Sequence, residues 1–287
     1  MSEPLVAAIE RHLAALVDGH PDRHPGRAGN TTANDYVESV LEGHHWAVES
    51  VDFEVLDAVL GPASLSVGGR EFEVHPGPYT VPVRTTAPLL PIDSLAALEA
   101  TDIAGAIVLL HGDIAADQLF PKSFDFVEAP EHRRIYELLE GGGPVAVIGA
   151  TGHGGGMGGG LSPSPLIEDG DFDLPNAYTT AEIGRGLVAL AGHPAELEVV
   201  AARLTLPARQ VTGARGPAGA PRVVIIAHID SKGGSPGALD NATGVAALLG
   251  TAQLLSEYGG PYRVELIPMN GEDYYANSGE HLFVAAN

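Results

Sequence analysis

Residues 222–273 read RVVIIAHIDSKGGSPGALDNATGVAALLGTAQLLSEYGGPYRVELIPMNGED, and this stretch decides the fold. The apolar run from Arg222 to Ala227 predicts a buried strand. From Ala242 to Tyr258, residues Val245, Leu248, Leu249, Ala252 and Leu255 recur at helical spacing and predict a helix with that face inward. Tyr262 to Met269 predicts a second strand. Strand, helix, strand with a crossover of this length is a right-handed βαβ unit of a parallel sheet.

In a parallel α/β sheet the carboxyl ends of neighbouring strands line one crevice. The first strand runs into Ala227-His228-Ile229-Asp230, the second into Asn270-Gly271-Glu272-Asp273, and Gly237 to Asn241 leads into the helix. His228, Asp230, Asp240, Glu272 and Asp273 are therefore expected to converge. Four carboxylates in a small volume repel one another unless a cation sits among them. Nitrogen and oxygen donors suit a hard-to-borderline dication, zinc above all. Singly, each residue has a plainer reading. His228 reads as a polar residue at a strand end, Asp240-Asn241 as a helix N-cap, and Glu272-Asp273 as an acidic turn. Gly233-Gly234 reads as a phosphate loop, but Lys232 precedes the glycines and the Gly-Lys-Ser/Thr ending is missing. The joint placement on one βαβ unit is what points to a metal centre.

The rest of the chain bounds that reading. With 287 residues there is room for two domains, and 37 glycines with 22 prolines favour a mixed α/β or β-rich build. The formal net charge is −22, and the only lysines are Lys122 and Lys232, so nucleic acid and anionic membranes are poor partners. No cysteine is present, which excludes disulfides, thiolate ligands and a Cys nucleophile. Leu5, Val6, Ile9, Leu13, Leu16 and Val17 give residues 3–17 a helical pattern, without the basic and apolar regions of a signal peptide. No apolar run is long enough to span a bilayer, and a cytoplasmic protein is expected.

His20 to Asn30, with Pro21 and Pro25, reads as a loop. A second helix is expected from Thr32, with Asp35 completing a capping box and Tyr36, Val37, Val40 and Leu41 as its apolar face. Gly43 ends it, and a strand follows over Val48 to Val55. Residues 63–76 read as a hairpin around Gly68-Gly69. Up to about residue 207, short β-like runs alternate with turns. They include strands at Gly105–Leu110, Val145–Gly149 and Leu197–Leu206, a helix at Ala129–Glu140, and a glycine-rich loop at Gly152–Gly160. Gly213 to Ala220 reads as a linker. His20, His24, His44 and His45 flank loops and a helix end and read as surface residues.

The strings Ala227-His228-Ile229-Asp230, Gly237-Ala238-Leu239-Asp240-Asn241-Ala242-Thr243-Gly244 and Gly271-Glu272-Asp273 together resemble metallopeptidase family 28, the two-zinc aminopeptidases. His24-Pro25-Gly26-Arg27-Ala28-Gly29 resembles the family's N-terminal piece. The middle region is similar to the protease-associated domain that many members insert, at Asp102 to Leu109 and Leu174 to Tyr178. The resemblance implies a zinc-exopeptidase fold of the phosphorylase/hydrolase-like kind: a mixed, mainly parallel sheet flanked by helices. It implies catalytic parts at 1–62 and 208–287 around a β-rich insert at 63–207.

It also implies roles. His228 would hold one zinc, Asp273 the other, and Asp240 would bridge them. Asp230 would orient the site from behind, and Glu272 would be the general base. Asp273 departs from the commoner Glu. The family's further Asp and His ligands have no counterpart before Asn287, and His281 reads as a helix-surface residue, so a C-terminally truncated enzyme is expected. The implied activity is removal of N-terminal residues from peptides. The alternatives are a metal-free, receptor-like binding protein, which would not need Glu272, and a glutaminyl cyclase-type acyltransferase, which the insert disfavours. Oligomeric state and residue preference have no signal in the sequence.

Overall fold

The structure is a computed structural model and describes residues 4–122, 128–151, 163–168, 170–274 and 276–287. The glycine-rich segment 152–160 lies outside the described residues. The chain forms two compact units, residues 1–55 with 205–287, and residues 56–204. The chain passes between them inside two long strands rather than through linkers.

Helix α1 (Leu5–Ala14) continues into one wider turn at Ala15–Gly19 and buries Ala8, His12 and Leu16. Helix α2 (Ala28–Gly43) starts four residues before the expected Thr32. Its N-cap is Arg27, with no side-chain cap. The Thr32 hydroxyl instead donates back to the carbonyls of Ala28 and Gly29, at 3.0 and 3.1 Å. Asp35 pairs with Arg209, so Thr32 and Asp35 form no capping box.

Strand β1 (Ala47–Val67) runs 21 residues, well past the expected Val55. It turns at Gly68-Gly69 into β2 (Arg70–Phe72), with Val67 opposite Arg70. Both glycines have positive φ, +58° and +76°, the conformation a two-residue hairpin turn of the favoured twist demands. The second unit continues with β3 (His75–Pro76), β4 (Val83–Ile92), α3 (Leu95–Ala100), β5 (Ile107–Leu110), α4 (Pro130–Gly142), β6 (Ala146–Thr151), β7 (Asn176–Thr180) and α5 (Ala181–Val188). Strands β4, β5, β6 and β7 pair in parallel, in that order. Both faces of this sheet are buried. Leu89, Ile107, Leu109 and Ile148 pack into one core. Ile92, Val108, Leu110 and Val147 pack with Leu139 of α4 into another. Burial on both faces explains why these strands read as uninterrupted apolar runs.

Strand β8 (Pro194–Arg215) returns to the first unit, followed by β9 (Arg222–His228), α6 (Thr243–Leu254), β10 (Arg263–Met269) and α7 (Ser278–Ala286). Gly213, Ala214 and Arg215 are not a linker: they pair antiparallel with Leu266, Glu265 and Val264. Strands β9 and β10 are parallel, with His228 opposite Met269, so both chains leave the sheet at the same end. Beneath them Leu16, Val37, Leu41, Val245, Leu249, Val264 and Leu266 form the core. Trp46 joins it and donates its indole N–H to the Ala252 carbonyl at 3.1 Å. Among the described residues no helix is long and apolar enough to cross a membrane.

Candidate metal centre

His228 ends β9 and is buried. Two residues on, Asp230 is 0% exposed. Its Oδ1 accepts the backbone N–H groups of Gly271 and Glu272 at 2.8 and 3.2 Å, and its Oδ2 accepts that of Asp273 at 2.9 Å. One carboxylate thus ties the turn after β10 to the end of β9. That turn carries Glu272 and Asp273, whose side chains are held in place through their own backbone.

Asp240 arrives from the loop ahead of α6. Gly237, with φ +51°, turns this loop inward, and a Cβ there would lie 2.5 Å from the Asp240 carbonyl oxygen. Asp240 Oδ1 lies 2.9 Å from His228 Nε2, and Glu272 Oε2 lies 3.6 Å from the same nitrogen. Donor atoms of His228, Asp240 and Asp273 all fall within 4.8 Å of one another. The structure therefore brings all five sequence-selected residues to one place.

The electrostatics are those of crowded, partly buried carboxylates around one imidazole. Burial pushes the Asp230 carboxyl up to about 6, against the pull of His228 and of the Gly271 and Glu272 N–H groups. Glu272 and Asp273 are also raised, first by burial and then by neighbouring negative charge, with His228 opposing. Burial lowers His228, but the charges of Asp230, Glu272 and Asp273 and the Asp240 hydrogen bond outweigh it, and its value ends above the ordinary one. Such a cluster binds either protons or a cation. One imidazole and two carboxylates at this spacing fit the nitrogen and oxygen donor set of zinc, whose ligand distances are about 2.0–2.2 Å. The His228 Nδ1 atom is buried without a hydrogen-bond partner, 3.8 Å from Asp230 Oδ1.

Behind the cluster lies a polar layer that the sequence reading does not single out. Asn30 and Asn270 exchange side-chain amide hydrogen bonds at 2.8 and 3.0 Å. Gln210 Oε1 accepts the Asn270 N–H at 2.9 Å. Arg23, in the expected loop, is fully buried. His24 is buried too, contrary to the surface expectation. Its ring stands edge-on to Tyr274 at 5.3 Å, and its Nδ1 meets the Pro25 carbonyl at 3.0 Å. His20 and His44 are partly exposed, and His45 and His281 are exposed.

Residues 210–287 match the family model described as Peptidase family M28. A curated relative, the "Probable lipoprotein aminopeptidase LpqL" of Mycobacterium tuberculosis (strain ATCC 25618 / H37Rv), is 25% identical over 260 residues, covering 85% of this chain and 48% of its own. An aminopeptidase from Aneurinibacillus sp. strain AM-1 superposes with a TM-score of 0.74 at 20% identity, over 96% of this chain and 66% of that one. BSAP, a zinc aminopeptidase from Bacillus subtilis, superposes with a TM-score of 0.65 at 20% identity, over 94% and 62%. The chain thus spans about half the length of the curated relative and just under two thirds of these solved structures. The residues 210–287 that match the Peptidase family M28 model contain all five residues of the cluster.

Proposed function

We propose that this chain carries the core of a zinc-dependent exopeptidase, an aminopeptidase that releases N-terminal residues from peptides. The observation that carries the reading is the meeting of His228, Asp240 and Asp273 with Glu272 Oε2 3.6 Å from the His228 imidazole. In this reading His228 would serve one zinc, Asp273 a second, and Asp240 would contribute to both. The described residues offer each metal two ligands, and a catalytic zinc takes three. Bound zinc lowers the pKa of water and polarises a carbonyl.

The chain's own residues do the rest. Asp230 fixes the 271–273 turn through three N–H groups, so Glu272 and Asp273 keep their aim. Glu272, half-buried and raised by that burial, takes the proton of the attacking water and delivers it to the nitrogen of the leaving amine. Hydrolysis consumes one water: its oxygen stays on the acyl carbon, and its proton goes with the amine. Residues 56–204 stand in this reading as the inserted protease-associated domain.

The test is zinc titration with thermal unfolding, followed by assay of aminoacyl-p-nitroanilides with the zinc-loaded protein. Zinc raises the melting temperature, and Glu272→Gln lowers turnover about 10²–10⁴-fold while leaving zinc binding in place. A protein that ignores zinc would be a metal-free binder, and the proposal would fall.

A further inference from the structure

Arg23 is a buried cation whose side-chain hydrogen bonds, among the described residues, all go to backbone carbonyls. Nε donates to Ile229 O at 2.7 Å, between His228 and Asp230. One terminal nitrogen donates to Pro236 O at 2.8 Å, and also reaches Leu16 O and His20 O at 3.1 and 3.2 Å. The other donates to Gly237 O at 3.0 Å, three residues before Asp240. The Arg23 backbone N–H reaches the Ser231 hydroxyl at 3.3 Å. One side chain therefore grips the strand end that presents His228 and the loop that presents Asp240. Neither loop has another element between it and Arg23 at these points: the guanidinium touches both directly.

We infer that Arg23 is a positioning residue for the metal centre, setting the separation of the His228 and Asp240 donor atoms through its fork of N–H groups. A guanidinium suits this task because it offers five N–H donors in a fixed plane, whereas an ammonium offers three on a flexible stem. Isolated carbonyls of residues 229, 236 and 237 cannot organise each other, since carbonyls only accept. A planar donor between them sets both distance and angle. Gly237 completes the arrangement. A Cβ at this position would stand 2.8 Å from the Arg23 terminal nitrogen and 2.6 Å from Ser231 Cβ, so only glycine lets its carbonyl approach the fork. Removing partners that orient metal ligands costs about 10–100-fold in metal affinity.

The inference rests on the zinc reading above, and its test separates the two. Zinc and cobalt affinities of the whole chain are measured by calorimetry for the wild type, Arg23→Lys, Arg23→Gln and Gly237→Ala. The visible absorption of bound cobalt reports ligand geometry, and near-ultraviolet circular dichroism reports folding of each metal-free protein. The expected result is at least a tenfold loss of zinc affinity in Arg23→Lys as well as Arg23→Gln, with an altered cobalt spectrum, in protein that remains folded. Gly237→Ala, which leaves Arg23 in place, shows the same direction and decides the matter if the Arg23 variants do not fold. If the wild type binds no metal, the zinc reading fails and the inference with it. If the wild type binds and the folded variants bind equally well, Arg23 is scaffold alone and the inference is overturned. Full rescue by Lys overturns it too, because charge rather than the fork would then be sufficient.

Discussion

Asp240 Oδ1 lies 2.9 Å from His228 Nε2, although the Asp240 side chain is 75% exposed and that of His228 only 9%. An exposed carboxylate aimed at a buried imidazole contributes little to folding and much to what the pair can hold. Asp240→Asn is therefore expected to change unfolding free energy by no more than about 0.5 kcal/mol. Zinc affinity should fall at least tenfold. Urea unfolding and calorimetric zinc titration of the same protein check both halves, and an Asn variant that binds zinc as tightly as wild type removes Asp240 from the ligand set.

The metal-free protein is expected to lose stability as pH rises from about 4 to about 6. Asp230 ionises near 3.8 when unfolded but near 6 when folded, so the folded state holds more protons across this window. Once pH exceeds both values the loss from this buried group is about 3 kcal/mol. His228, also raised, adds stability that is full below its ordinary value of 6.5 and declines as pH passes its folded value. Urea midpoints at pH 4.5, 5.5 and 6.5 check this against Asp230→Asn, whose slope should be shallower. Equal slopes would show that Asp230 does not titrate there.

Zinc affinity should follow the opposite course and rise between pH 5.5 and 7.5. Ligand groups must shed protons to bind metal, and His228 and Asp273 hold theirs above the ordinary range, as does Glu272 beside them. Calorimetry in buffers of different ionisation enthalpy measures the protons released. Zinc binding without proton release at pH 6 contradicts the assignment.

Leu109→Ala tests the independence of the second unit. Leu109 is 0% exposed between parallel strands, and truncation should cost about 2–5 kcal/mol. The metal cluster draws every residue from the other unit, so zinc affinity should stay within twofold. A joint loss of stability and zinc binding would contradict that expectation.

The central βαβ unit can be read locally because its signals are local. The apolar run of β9, the helical spacing of Val245, Leu248 and Leu249, and the polar residues just past each strand all lie within one short stretch. Gly213 illustrates what is not local. It reads as linker because it has no side chain, yet that lack is a packing requirement: a Cβ would meet Leu41 at 3.0 Å. Its pairing with Leu266 runs through backbone groups that carry no residue-type signal. Arg23 escapes sequence reading for the same reason, since its partners are carbonyls that any residue could supply. The early start of α2 is similar, because Arg27 caps it without a side-chain hydrogen bond. His24 reads as a surface residue because burial against Tyr274 joins positions 250 residues apart.

The buried Asn30–Asn270 amide pair also bears on how the protein ages. Asn270 is followed by Gly271, the dipeptide most prone to deamidation, in which the next backbone nitrogen attacks the side-chain carbonyl carbon. Here the Gly271 N–H is engaged by Asp230, and the Asn270 amide is held by Asn30 and by the Arg209 carbonyl at 2.9 Å. Both reacting groups are occupied as long as the fold persists. Each opening of this region starts a chemical clock. An Asp formed at 270 would face the Asn30 carbonyl oxygen with no proton to share, so damage incurred while open would hinder closing again.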